Sequence, residues 1–315
     1  MYGSVSIPFS EVLDFLVGNE ILKSHAIILQ EFRIPKAITA ISAGAALSVS
    51  GLLMQTLFRN PLAGPFVLGI SSGASLGVAI LVMAGSLLGG VTAFLGDFAI
   101  AGMAIIGAGL VTTIVMLVAR KINDSVSLLI IGLMFGSATG ALVSILQYFS
   151  QPELIQAFVV WTFGSLGGLG ADQIWIFAPI LIVGIGISLF CQKPLDNLLL
   201  GESYAKALGV NVKQTRYLVV IATSILAGGI TAFCGPISFI GLAIPHIARA
   251  ILKTSQHKKL LPACLLLGST LLLICDLIAQ VPGQDNTLPI NAITALFGAP
   301  VVIWVILGNR KFRNS

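Results

Sequence analysis

Charge is what this sequence has least of. Only 12 acidic and 17 basic side chains are spread over 315 residues, and charged residues make up 9% of the chain where soluble domains carry about a quarter. The histidines, His25, His246 and His257, lie far apart, and neither an HExxH pair nor a GxxxxGK[ST] phosphate loop occurs. Cys191, Cys234, Cys264 and Cys275 stand singly in apolar surroundings without CxxC spacing, as small hydrophobes do. No catalytic residue and no metal ligand is therefore expected, and transport is the better class than enzyme. The opening Met-Tyr-Gly-Ser-Val-Ser-Ile-Pro has no basic region ahead of an apolar core, so it does not read as a cleavable signal peptide.

What is there is hydrocarbon. Apolar residues make up 57% of the chain and mean hydropathy is +1.02. At about 20 apolar residues per spanning helix, the expectation is an all-α polytopic bundle, residues 1–315 forming one transmembrane domain. Nine spans fall at about 37–57, 66–84, 98–119, 126–148, 173–191, 216–234, 238–252, 260–281 and 288–308. Ahead of them, residues 8–32 mix Glu11, Asp14, Glu20, Lys23 and Glu31 with leucine and isoleucine, so residues 1–36 read as an external amphipathic segment. Residues 149–172 read as extramembrane with a short helix. The largest polar loop, 192–213, carries a short helix from Ser203 to Leu208 closed by Gly209.

Basic residues concentrate in cytoplasmic loops. With 192–213 inside, all of the 17 Lys and Arg residues except Lys23, Arg33 and Lys36 fall on that side. The amino terminus is then outside and the carboxyl terminus inside. With the positive charge placed this way, the formal +5 does not indicate nucleic acid, and lipid is the expected surroundings.

The stretch Arg59 to Gly77 interrupts two apolar blocks with proline and glycine. Non-helical backbone at membrane depth is tolerated where protein buries it or where it lines a water-filled path, so this stretch is a candidate gate. Gly69, Gly73 and Gly77, and again Gly132, Gly136 and Gly140, recur at the four-residue spacing that lets helices approach closely. Asp276 is the clear intramembrane carboxylate, towards the outer end of its helix. Satisfied by neighbours, it is structural; used as a proton site, it would make the chain an ion-coupled secondary transporter, which is the alternative.

Six motifs in order then carry a resemblance. Arg33-Ile-Pro-Lys36 with Gly44-Ala-Ala-Leu47, Ser50-Gly-Leu-Leu-Met-Gln55, Arg59-Asn-Pro-Leu-Ala-Gly-Pro65 with Leu68-Gly-Ile-Ser-Ser-Gly-Ala74, Leu200-Gly-Glu202 with Ala205 and Leu208-Gly209, Gly235-Pro-Ile-Ser-Phe-Ile-Gly-Leu-Ala-Ile-Pro-His-Ile-Ala-Arg249, and Leu288-Pro289 with Phe297-Gly-Ala-Pro300 resemble the FecCD family. These are permeases of type II ABC importers for iron-siderophores, haem and vitamin B12. The resemblance covers nearly the whole chain.

It implies a homodimer, or a pair with a paralogous permease, in a bacterial or archaeal cytoplasmic membrane. Two cytoplasmic ATPase subunits and an extracytoplasmic substrate-binding protein would complete the importer. This chain would bind no cofactor, ATP and Mg2+ being on the ATPase. The cargo would be an Fe(III)-siderophore first, with haem or cobalamin within the class. Leu200, Gly201, Glu202, Ala205, Leu208 and Gly209 would form the ATPase coupling segment. Asn60, Pro61 and Leu62, with Asp124, Ser125 and Val126 before a pore-lining helix at 126–148, would form cytoplasmic gates. Arg33 and Lys36 would meet the binding protein.

The chain also departs from the family pattern. A helix that members commonly carry ahead of the segment matching 8–32 has no match in this sequence; either the protein lacks it or the start is placed too late, and the second is the expectation. Gln280 stands where an arginine is expected, and Thr287-Leu-Pro-Ile-Asn291 replaces Glu-Leu-Pro-Val-Gly.

Overall fold

Fifteen α-helices organise the parts of the chain that the computed structural model describes, residues 5–85, 92–119, 125–280 and 287–313. No strand occurs among the described residues. The short α1 (Phe9–Val17) and α2 (Lys23–Ile27) lead through a π-helical turn, Ile28–Arg33, into α3 (Ile34–Leu57). A 3-10 turn, Pro65–Leu68, precedes α4 (Ile70–Ala84), and α5 (Thr92–Ala119) and α6 (Ser125–Tyr148) follow. Next come α7 (Pro152–Thr162), α8 (Ala171–Phe190), α9 (Gln192–Leu199) and α10 (Glu202–Ala207). The chain continues through α11 (Val212–Thr223), a second π turn at Ser224–Gly228, α12 (Gly229–Cys234), α13 (Ile240–Leu252), α14 (His257–Ala279) and α15 (Ile290–Arg313).

Among the described residues, six helical stretches are long and apolar enough to cross a membrane, and three shorter apolar helices, Ile70–Ala84, Ile240–Leu252 and Ile290–Ile303, accompany them. Together they match the nine expected segments one for one. The short helix expected within 149–172 is α7.

The centre of the bundle is α3. Every residue from Ala43 to Leu57 is buried, and a helix apolar on all faces belongs inside. Its close approach to neighbours depends on glycine. A Cβ on Gly44 would collide with the Gly268 carbonyl of α14, and one on Gly51 with the Gly241 carbonyl of α13. The polar groups of α3 turn to backbone acceptors: Ser48 Oγ donates to the Cys264 carbonyl at 2.6 Å and Ser50 Oγ to Leu47 at 2.9 Å. Such bonds remove the cost of burying a hydroxyl. A second seam joins α4 to α5, where a Gly73 Cβ would stand 2.6 Å from the Gly107 carbonyl.

The backbone differs from expectation at three places. The expected boundary between the segment 1–36 and the span 37–57 is not a structural one; residues 23–57 run on helically. Pro35, in the first turn of α3, lacks the N–H that a helix interior needs, and the π turn just ahead of it takes up the changed register. Gly69 lies outside the helix: at φ +74° it is the left-handed hinge between the 3-10 turn and α4, and a Cβ there would stand 3.2 Å from the Gly132 carbonyl of α6. Finally, α9 precedes the short helix expected in 192–213.

Candidate functional site

Two ends of the bundle carry polar side chains. At the basic end, α3 closes with Phe58, and Arg59 takes a left-handed conformation, φ +45°. Asn60 then forms a local turn: its Oδ1 accepts from the Leu62 amide at 2.9 Å and its carbonyl from Ala63 at 3.1 Å. Pro61 has no amide to satisfy, and its carbonyl meets His246 Nε2 of α13 at 2.7 Å. With the loop fixed on both flanks, Leu62 is left 45% exposed while Ala63 is buried. Val126, at the start of α6, is also exposed. Ser125 opens that helix, and Asp124 lies outside the described residues.

Beside this loop lie α9 and α10. Gly201 at φ +114° and Gly209 at φ +81° bracket α10 in conformations that side chains resist. Ala205 is wholly buried, so a small residue is required there. Glu202 Oε1 accepts from Arg216 Nη2 of α11 at 3.1 Å, tying α10 to the body. Leu200, Tyr204 and Leu208, four residues apart, are each more than half exposed. The segment thus presents three apolar side chains outward, one before Gly201, one in α10 and one just after it, while its polar and small residues hold the backbone.

The remaining polar contacts at this end were not anticipated from sequence. Arg249 Nη1 donates to Gln55 Oε1 at 2.6 Å, and Gln55 Nε2 donates to the Leu242 carbonyl at 3.0 Å. His257 bridges Asp196 of α9 and Thr56 of α3. Each partner is distant in sequence; Gln55 and Arg249 close two of the motifs quoted above, and His257 stands at the boundary of an apolar run.

At the opposite end, Arg33 donates to the Val5 carbonyl. Lys36 Nζ pairs with Asp276 Oδ1 at 3.0 Å, and Gln280 Nε2 donates to Asp276 Oδ2 at 2.7 Å. Lys36, expected to meet the binding protein, and Gln280, which stands where an arginine is expected, are thus the partners of the intramembrane carboxylate Asp276. Asn291, another departure, accepts from the Ser238 amide at 3.0 Å and donates its own amide to the Phe163 carbonyl at 3.2 Å. It fastens the start of α15 to the turn before α13. No group of His, Cys, Asp and Glu suited to a metal ion occurs among the described residues.

The model of the FecCD transport family matches residues 1–308. The chain belongs to the FecCD family. Similar FecCD relatives include the vitamin B12 import system permease protein BtuC of Klebsiella pneumoniae, 39% identical over 90% of this chain and 83% of the relative. That of Citrobacter koseri is 37% identical over 89% and 83%. Among solved structures, a metal-chelate type ABC transporter in an inward-facing conformation superposes with TM-score 0.82 at 30% identity, over 93% of this chain and 91% of that one. PsaBC from Streptococcus pneumoniae in complex with Fab, at 19% identity and TM-score 0.58, shares the fold. This FecCD protein is accordingly the multi-pass permease of an ABC importer, a transport subunit rather than an enzyme. The secondary-transporter alternative is not favoured: in a FecCD permease Asp276 needs no proton-coupling role, and both its oxygens are engaged.

Proposed function

We propose that the chain forms, with a second permease copy or a paralogue, the path for a metal chelate across a bacterial cytoplasmic membrane. ATP and Mg2+ act on two ATPase subunits docked at 192–213, and an extracytoplasmic binding protein delivers the cargo past Arg33. Asn60, Pro61 and Leu62, with the start of α6, close the inner side. Fe(III)-siderophore and cobalamin are the cargoes to compare first, the latter supported by the relatives named for vitamin B12.

The observation that carries this reading is the exposure of Leu200, Tyr204 and Leu208 on a segment anchored by Glu202 and Arg216. Exposed apolar side chains clustered on a polar loop call for a protein partner. Co-purification of the ATPase with the wild-type permease is expected, and its loss with Leu208→Glu. A Leu208→Glu permease that still retained its ATPase in full would overturn the docking assignment. Growth of a deletion strain on single iron or cobalamin sources, restored by this gene, identifies the cargo.

A further inference from the structure

His257 stands at the first position of α14, wholly buried. Its ring touches two other elements. Nδ1 lies 2.6 Å from Asp196 Oδ1 of α9, and Nε2 lies 2.9 Å from Thr56 Oγ1 in the last turn of α3. The His257 amide also donates to Asp196 Oδ1, at 2.9 Å. Gln256, the residue preceding α14, contributes no side-chain cap, so a carboxylate from α9 caps α14 in its place. The positive end of the helix favours that charge.

From Thr56 the contacts continue to the loop. Its neighbour Gln55 takes Arg249 and the Leu242 carbonyl through its side chain, and its carbonyl accepts the Asn60 amide at 3.1 Å. His246 then holds Pro61. Every step from Asp196 to Pro61 is a hydrogen bond or a peptide link.

We propose that His257 is a positioning residue that transmits displacement of the ATPase-docking segment to the loop bearing Leu62. The proposal rests on the assignment of 192–213 as that segment. The other anchors of α9, Leu195 and Leu198, are buried leucines, whose non-directional packing permits sliding. The imidazole fixes distance and direction at both ring nitrogens. Stability alone gives little reason for it, because a buried polar bridge yields little net free energy, and apolar groups of matching shape can replace it at nearly no loss.

The test uses the complete importer, permease with its ATPase and binding protein, in proteoliposomes. ATP hydrolysis and chelate uptake are measured in the same vesicles for wild type, His257→Leu, Thr56→Val and the double variant. The ATPase stays bound, hydrolysis continues, and uptake per ATP falls about five-fold in either single variant, a size typical of altered coupling. The double variant is no worse than His257→Leu, because one bridge is cut twice. His257→Gln, which keeps a single polar contact, recovers part of the loss. If His257→Leu fails to fold, Thr56→Val decides alone. Unchanged uptake per ATP with the ATPase bound overturns the proposal, as does a fall of hydrolysis and uptake in equal proportion. A wild-type permease that binds no ATPase overturns the docking assignment itself.

Discussion

At the residue scale, Lys36 and Asp276 set a limit on what surface charge can do. Their side chains are 22% and 11% exposed and 3.0 Å apart, so much of the Lys36 charge is spent inside the chain. Removing one member of a largely buried pair leaves the other desolvated without compensation. Lys36→Met is expected to cost about 1–3 kcal/mol, read as a lowered unfolding temperature in detergent, and Lys36→Met with Asp276→Leu should recover most of it. A double variant less stable than Lys36→Met would remove the pair from this account. Gly209 is legible in sequence because a glycine that closes a short helix has a local duty, a left-handed turn, whereas Gly201, Glu202 and Ala205 stand out only through the family motif. Asp196, His257 and Thr56 were not legible, because their bonds close across 61 and 201 residues and a single sequence carries no sign of which distant groups meet.

Helices were legible for a different reason. A segment of about 20 apolar residues has few alternatives in lipid, where backbone groups must bond within the segment, so hydropathy marks the nine apolar helices, six of them long enough to cross a membrane among the described residues. Register changes within them were not legible, since the π turns at Ile28–Arg33 and Ser224–Gly228 alter hydrogen bonding without altering composition. Glycine spacing was legible only in part. Gly73 abuts the backbone of α5, whereas a Cβ on Gly140 of α6 meets nothing within 4 Å in the same chain. Gly73→Leu therefore has to push α4 from α5 and should yield no monodisperse peak on size exclusion. Gly140→Leu should accumulate as a folded chain, and any defect it shows would arise from a partner copy. Equal loss of folded protein in both variants would contradict the α4 and α5 seam.

For the whole molecule, the question is how a chain with so few intramembrane charges controls a path. Val126, Ile130, Leu133 and Met134 of α6 are each more than half exposed in the single chain, an apolar face suited to a pore between two copies. In the proposed pore, bulk rather than charge decides passage at the inner end. Leu62 sits on a loop held by the Asn60 turn and by His246, so a larger side chain there cannot be absorbed by moving the backbone and must project into the space that Leu62 faces. In a two-fold assembly each substitution appears twice at the axis. Leu62→Trp is expected to lower uptake, while ATP hydrolysis and ATPase binding persist. Passive leak of chelate from loaded vesicles should change with it. Uptake and leak both at wild-type levels would take Leu62 away from the gate and leave its loop as a structural link between α3 and α13.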